Sequence, residues 1–316
     1  MAIGTPSESP AIVVKEVDLT GGVPNVQSTT GAFAGEFRWG PAEVATLIST
    51  ETELARTFGA PSDSYAVDFL SAAYFLKYAN ALQTVRVVDA AALNACDSSA
   101  AATQIKNNSA WDNGTYSTGN IFARWPGEFG NSLQVVWADA ASWSAWNATY
   151  KSQFDNTPSG QEHHVLVLDE DGVITGTAGT VLERYPYVSA TASATNTDGS
   201  SNYMKDVINR QSDYIRMNNV VDSSGTHSLA GGVNSTAATS DYLTGFDAFE
   251  DKDTIQVDFL IAPQADSGDM NTTLVNDLIV TAGTTRKDCV VVASPARDTV
   301  VGMADPITTT VTDMGA

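Results

Sequence analysis

Cysteine, histidine and cationic side chains are all scarce in this chain. Its 316 residues include two cysteines, three histidines and 16 lysines plus arginines. Cys96 and Cys289 stand far apart, with no CxxC pair and no metal-ligand spacing, which excludes a disulfide framework and a cysteine-based zinc site. The 37 acidic residues leave a net charge of -21. No Lys/Arg cluster occurs that could neutralise a row of phosphates, so direct binding to nucleic acid or to an anionic membrane is excluded as a function class. No apolar run reaches the ~18 residues of a membrane span. The opening "MAIGTPSESP" lacks the basic-then-apolar pattern of a secretory leader, so the chain is expected to be made and kept in a cytoplasm.

What is present is enough apolar sequence for a sizeable core. Hydrophobic residues make up 43% of the chain and charged ones 17%, the balance of a folded protein. The length allows two compact domains, or one domain carrying a large insertion.

The first strand-like stretch is "SPAIVVKEVDLTGGV", residues 9–23. Val13, Val17 and Leu19 fall on one face and Ile12 and Val14 on the other, while Lys15, Glu16 and Asp18 interrupt both. Such a strand suits a sheet edge, where charges limit indiscriminate pairing. Gly21-Gly22 supplies a hinge after it. In "TTGAFAGEFRWGPAEVATLIST", alternation through Phe33, Gly35, Phe37 and Trp39 predicts a strand. Gly40-Pro41 turns the chain, and a short second strand runs from Val44 to Ile48. Thr50 with Glu53 is a capping-box pattern that opens a helix ending near Gly59. The next helix carries Val67, Leu70 and Tyr74 at helical spacing, beside Phe69, Ala73 and Leu76, and reads as buried on that stripe. "LQTVRVVDA" has the β-branched density of an interior strand.

From about Ala91 the composition turns to Ala, Ser, Asn and Thr. Leu133, Val135 and Trp137 share a strand face, and "EHHVLVLDEDGVITG" reads as a hairpin turning at Asp169-Gly172. "SSNYMKDVINRQSDYIRM" is a helix running into a short strand. The last block returns to a helical and strand pattern. "TIQVDFLIAP" and "CVVVASP" read as buried strands around a helix with Leu274, Leu278 and Ile279 inward, a unit that implies a parallel pair with a right-handed crossover. The expected architecture is therefore mixed α/β: an α/β domain in two halves, 23–92 and 229–316, interrupted by a β-rich insertion at 93–228 and preceded by an extended arm at 1–22.

Motifs for chemistry are thin. The chain has no P-loop, no GxGxxG after a strand, no HExxH and no GxSxG. Adjacent His163 and His164 point to opposite faces of a strand and cannot share a metal without distortion. His227 in "SSGTHSLAGG" reads as a loop residue with no nucleophile partner set by spacing. "DEDG" at 169–172 and "TDGS" at 197–200 are fragments of calcium-loop pattern without the alternating ligands, and read as turns, as "FEDKDTIQVD" at 249–258 reads as a helix end and strand start. Cys289 reads as a small core residue and Arg297 with Asp298 as a structural ion pair. Trp111, Trp125, Trp137, Trp143 and Trp146 crowd the middle block. They allow a carbohydrate-binding or adhesin module, with core and turn packing the simpler account. No catalytic residue, no metal and no cofactor is assigned.

Several segments in order carry more information than any motif. Gly35, Trp39-Gly40-Pro41, Phe58-Gly59, Pro61 and Arg86-Val87-Val88, then "ARWPGEFGNSLQVVW", "LAGGVNS" and "KDCVVVASPARDTVVG", resemble in order and spacing the contractile tail sheath proteins of phages with contractile tails. The resemblance covers most of the chain. It implies a virion structural protein, not an enzyme, that is assembled in a host cytoplasm. It would form rings and a helical sheath with itself, surround a tail tube protein, and meet baseplate and tail terminator proteins. The sheath of a bacteriocin or secretion-type injection device shares the same pattern. It also implies that residues 1–22 are an assembly arm, with Ile12, Val13, Val14, Val17 and Leu19 adding a strand to a neighbour's sheet and Gly21 and Gly22 as hinge. The tube-facing C-terminal domain that such proteins carry beyond this pattern is expected to be absent.

Overall fold

The computed structural model describes residues 29–98, 102–220, 224–264 and 268–314. The expected arm, with Ile12, Val13, Val14, Val17 and Leu19 and the Gly21-Gly22 hinge, lies outside the described residues.

The chain opens with β1 (Thr30–Gly35), β2 (Thr46–Ile48), helices α1 (Glu51–Phe58) and α2 (Ala66–Leu76), and β3 (Ala81–Arg86). The middle holds α3 (Asn108–Asn113), β4 (Ile121–Ala123), β5 (Leu133–Asp139), α4 (Ala148–Lys151), β6 (Glu162–Asp169), β7 (Thr180–Ser189), α5 (Met204–Gln211), β8 (Ile215–Met217) and β9 (Gly225–Ser228). The last part adds α6 (Thr239–Asp247), β10 (Phe259–Ile261), α7 (Gly268–Val280), a π-helical turn at Thr281–Arg286, β11 (Val290–Val292), α8 (Arg297–Val300) and α9 (Pro306–Met314).

Strands from both ends of the sequence share one five-stranded sheet, in the order β11-β10-β1-β3-β2. All its pairs are parallel except β2 with β3. The period-2 alternation of β1 divides two cores. Ala32 and Ala34 pack with Val85 and Leu260 under α6 and α7, through Tyr242, Phe246, Leu274 and Leu278. Phe33 packs with Leu82 and Ile48 under α1 and α2, through Leu54, Phe58, Phe69 and Leu76. Gly31 lacks a side chain where one is excluded, because a Cβ there would lie 2.6 Å from the ring of Phe75.

The middle segment forms an antiparallel sheet, β7-β6-β5-β9, and a β4-β8 ribbon. Leu133, Val135 and Trp137 do share a face, packed with Val165, Val167, Met204 and Ile208. Val136, Leu166 and Leu168 face the other way, onto Trp146, Tyr150 and Phe154.

Five local expectations are corrected. Of the broad apolar stripe expected on α2, Phe69, Ala73 and Leu76 are buried together with Ala72, but Val67, Leu70 and Tyr74 are exposed at 49%, 44% and 64%. This helix is apolar nearly all round, so spacing alone could not choose a face. Small Ala72 and Ala73 allow close approach to the sheet, and inward Asp68 accepts the Glu36 N–H at 2.7 Å, fixing the rotation. Second, the partner of β6 is not the run after Asp169-Gly172. The Asp169 carboxylate captures the N–H groups of Ile174 and Thr175 at 3.0 and 2.7 Å and curls that run into a loop, and β7 begins only at Thr180. Third, His227 sits on β9, paired opposite Val135, not in a loop. Fourth, Ile279 is on the outer side of α7 and exposed, and Val290 and Val292 are exposed because β11 is an edge strand covered on one side only. Cys289 is half-buried at the margin of that core. Fifth, β1 stops at Gly35, so Phe37 and Trp39 belong to the loop after it.

Candidate assembly surface

Of the segments that carry the resemblance, residues 287–302 form β11 and α8 at the far edge of the sheet, whereas several of the others meet at the end of β3. Arg86 is buried there and its guanidinium donates to three main-chain carbonyls, Phe37 at 2.9 Å, Gly40 at 3.1 Å and Pro126 at 2.9 Å. Burial lowers its pKa to about 10 against the opposing pull of Tyr65 and Glu36, so it stays charged at neutral pH. The loop it holds is shaped by glycine. Gly40 has φ of 105°, and a Cβ there would meet the Thr57 carbonyl oxygen at 2.7 Å. The Trp39 N–H donates to the Phe58 carbonyl at 3.2 Å, and Gly59 lets the Trp39 ring approach.

Pro126 belongs to the second resembling segment, which lies against the third. Asn131 and Gly232 exchange hydrogen bonds of 2.9 and 2.7 Å, and Asn234 Oδ1 accepts the Glu128 N–H at 2.9 Å. Beside them the outgoing and returning chains pair. Leu93 and Val233 exchange main-chain hydrogen bonds of 3.0 and 3.1 Å, as Cys96 and Ala230 do at 2.9 Å each. A cleft of about 220 Å³ opens next to this junction, lined by Trp39, Arg56, Trp125, Phe129, Asp213 and Tyr214 among others.

The histidines, the buried thiol and the carboxylate turns are absorbed by packing. His227 stacks on Trp137 at 4.2 Å, and its Nδ1 lies 3.9 Å from Asp97 Oδ2. Burial lowers its pKa against the pull of Asp97. The thiol beside it belongs to fully buried Cys96, donates to Asp97 at 3.3 Å, and is pushed up by burial to about 12, which removes it as a nucleophile. His164 is enclosed by Phe154, Trp143 and Tyr187. Its Nε2 meets the Asn156 carbonyl at 2.8 Å and its Nδ1 faces the Tyr187 N–H at 3.2 Å. A carbonyl only accepts and an amide N–H only donates, so the ring is neutral with its proton on Nε2.

Burial alone would raise the pKa of Asp169, but bonds from Ser132, Thr175 and Ile174 outweigh it and hold the carboxyl below its ordinary value. "DEDG" is thus a turn knit to its own carboxylate. "TDGS" is another, with Ser200 donating twice to Asp198 and Gly199 at φ of 82°. Among the described residues no group of three or more His, Cys, Asp or Glu is placed to hold a metal, and no helix is long and apolar enough to cross a membrane. The tryptophans do not form one cluster. Trp143 and Trp146 contact each other, Trp111 stacks on Tyr116, Trp125 lies under Arg124, and Trp137 carries His227. Arg297 and Asp298 are both exposed, and no ion pair of Arg297 is present among the described residues.

What remains is surface. Val67, Leu70 and Tyr74 of α2, with Tyr78 after it, and Val300, Val301, Met303, Ile307 and Val311 along α8 and α9, are exposed apolar side chains on helices of one α/β body. Exposed apolar side chains gathered on helix faces are where a protein surface can be buried against another macromolecule.

Comparison with known proteins agrees in class. No family model matches the chain. It is 34% identical over 201 residues, 62% of its own length, to the tail sheath protein of Salmonella phage ViI, and 40% identical over 82 residues, 26% of its length, to that of Vibrio phage KVP40. The matched segments span 31% and 12% of those two relatives, well under half of either. A sheath tail protein from Listeria innocua superposes with a TM-score of 0.51 at 15% identity, covering 92% of this chain and 55% of that one, which shows a shared fold. The chain thus has a tail-sheath-type mixed α/β fold. In sequence it resembles phage tail sheath proteins, as its ordered segments implied.

Proposed function

We propose that this chain is a structural component of a contractile tail sheath, which polymerises around a tail tube in a virion and contracts to drive the tube through a host envelope. The observation that carries this reading is the 201-residue likeness to the Salmonella phage ViI sheath protein. The exposed helix faces and the packing of His164, His227, Cys96 and Asp169 into hydrogen-bonded or stacked contacts support it. The partners are then other copies of the chain, the tube protein, and baseplate and terminator proteins. Within the chain the sheath core comprises 23–92 and 229–316. Residues 93–228 form an outward insertion, a division supported by the paired neck at Leu93–Cys96 and Ala230–Val233. The arm of residues 1–22 adds its strand to a neighbouring copy through Ile12, Val13, Val14, Val17 and Leu19. Main-chain pairing of that kind survives large rigid-body rotation of the domains it tethers.

Because a charge of -21 opposes self-association in dilute buffer, assembly is expected at raised salt or magnesium. Negative-stain microscopy under those conditions shows rings or tubes on this reading. Persistent monomers at every salt and protein concentration sink it. Deleting residues 1–20 removes assembly and leaves the melting temperature nearly unchanged. A large loss of stability instead means that the arm serves its own fold.

A further inference from the structure

We propose that copies of this chain meet head to tail, the α8–α9 surface of one docking into the groove beside α2 of the next. The inference rests on the sheath reading, whose assembly it localises to two named helical faces.

The receiving face is a groove of about 380 Å³ lined by Glu51, Leu70, Ala73, Tyr74, Leu76 and Lys77. Leu70 and Tyr74 stand one helical turn apart along its wall, a spacing of roughly 5.4 Å. The presenting face has the matching period. α9 lies against α7 and α8, yet its apolar pair Ile307 and Val311, also one turn apart, is 76% and 66% exposed, and Pro306, Thr309 and Thr310 are more buried among the described side chains. An amphipathic helix in a finished core shows the reverse arrangement. Two aliphatic side chains at that spacing form a ridge that fits a groove of the same pitch, as in ordinary helix packing.

Charge selects the occupant. The molecule is strongly acidic, so a second copy can approach only where carboxylates are few. From Ala66 to Asn80 the exposed ionisable side chain that carries charge at neutral pH is Lys77, because Asp68 is turned inward to the Glu36 N–H, and Glu51 stands at the rim. The α8–α9 surface carries exposed Asp298 and Asp305 with Arg297. A symmetric contact between two α2 faces would set Lys77 against Lys77, and one between two α9 faces would set Asp305 against Asp305. The heterologous contact offers Lys77 two carboxylates and Glu51 a guanidinium. It leaves one unfilled groove and one unfilled ridge at the ends of every open oligomer, so it propagates until it closes into a ring or continues as an open helix.

The test uses two double variants of the full chain, Leu70→Asp with Tyr74→Asp, and Ile307→Asp with Val311→Asp. All four positions are exposed, so each variant keeps the wild-type melting temperature, while a carboxylate driven into an apolar contact lowers the sedimentable assembled fraction at least about tenfold. Neither variant assembles alone. Mixed, they form a 1:1 dimer and nothing larger, because one intact groove and one intact ridge remain in the mixture. If the wild type assembles and both variants assemble equally well, this contact is wrong and the sheath reading stands. Loss of assembly in the α2 variant alone means that the groove takes another occupant, and also overturns the contact. A wild type that never assembles overturns both. Should a variant lose stability, mixing Tyr74→Cys and Ile307→Cys copies under oxidation decides the matter: a disulfide between the two copies supports the contact, and its absence in an assembling mixture refutes it.

Discussion

Arg86 puts a full positive charge in the interior of an acidic protein and satisfies it with dipoles, the carbonyls of Phe37, Gly40 and Pro126. Replacing it with methionine keeps most of the volume and strands all three acceptors. Arg86→Met is therefore expected to lower unfolding free energy by about 3 kcal/mol in a urea titration, with the loss shared between the loop after β1 and the segment at Pro126. The histidines act with a different sign. His164 and His227 have pKa values depressed by burial, so the unfolded chain binds more protons than the folded one as pH falls through the ordinary histidine value near ~6.5. Stability contributed by their neutral forms is complete above that value and declines below it. Melting temperature should be flat from about pH 7 upward and fall between about pH 6.5 and 5, despite the opposing pull of Glu162 on His164 and of Asp97 on His227. A His164→Gln, His227→Gln variant should melt lower at pH 7.5 with that slope removed, and an unchanged slope would contradict the assignment. Neither role could be read from the sequence. Three histidines and an Arg-Val-Val run show residue types, but the carbonyls that receive Arg86 come from positions 37, 40 and 126, which only the fold brings together.

At the scale of elements the sequence was most legible where a signal was local. Thr50 and Glu53 cap α1 much as their spacing implied, the Glu53 N–H donating to Thr50 Oγ1 at 3.2 Å, although Glu53 reaches back to the Ser49 N–H rather than to that of Thr50. The alternation of β5 predicted which residues share a face, whereas that of β1 held only as far as Gly35. Periodicity failed on α2, where both faces are apolar, and on β11, where a run of valines fits an interior strand or an edge equally well. The orientation of α2 makes a sharp prediction. Phe69→Ala should cost about 3 kcal/mol in chemical denaturation, whereas Tyr74→Ser, on the stripe that periodicity favoured, should stay within about 0.5 kcal/mol. A large effect at Tyr74 would mean that this helix is turned the other way.

At the scale of the molecule, the sheet order β11-β10-β1-β3-β2 unites strands from opposite ends of the sequence around a segment with its own sheet. In composition, too, the Ala/Ser/Asn/Thr-rich middle differs from its flanks. The closeness of exit and return could not be read from the sequence, since short bridges at Leu93–Val233 and Cys96–Ala230 leave no period to detect. Those bridges bear on what the segment between them is allowed to become. The two ends of the excursion are held by main-chain hydrogen bonds that depend on no side chain within it, and the entropy of closing a loop grows only with the logarithm of its length. Between the bridges the chain can therefore lengthen, shorten or change its exposed sequence at small cost to the five-stranded sheet, provided that the Asn131–Gly232 exchange and the carbonyl of Pro126 are kept. The neck thereby uncouples the two parts of the chain: an insertion or deletion in an exposed turn between the bridges should leave the melting of the five-stranded sheet nearly unchanged.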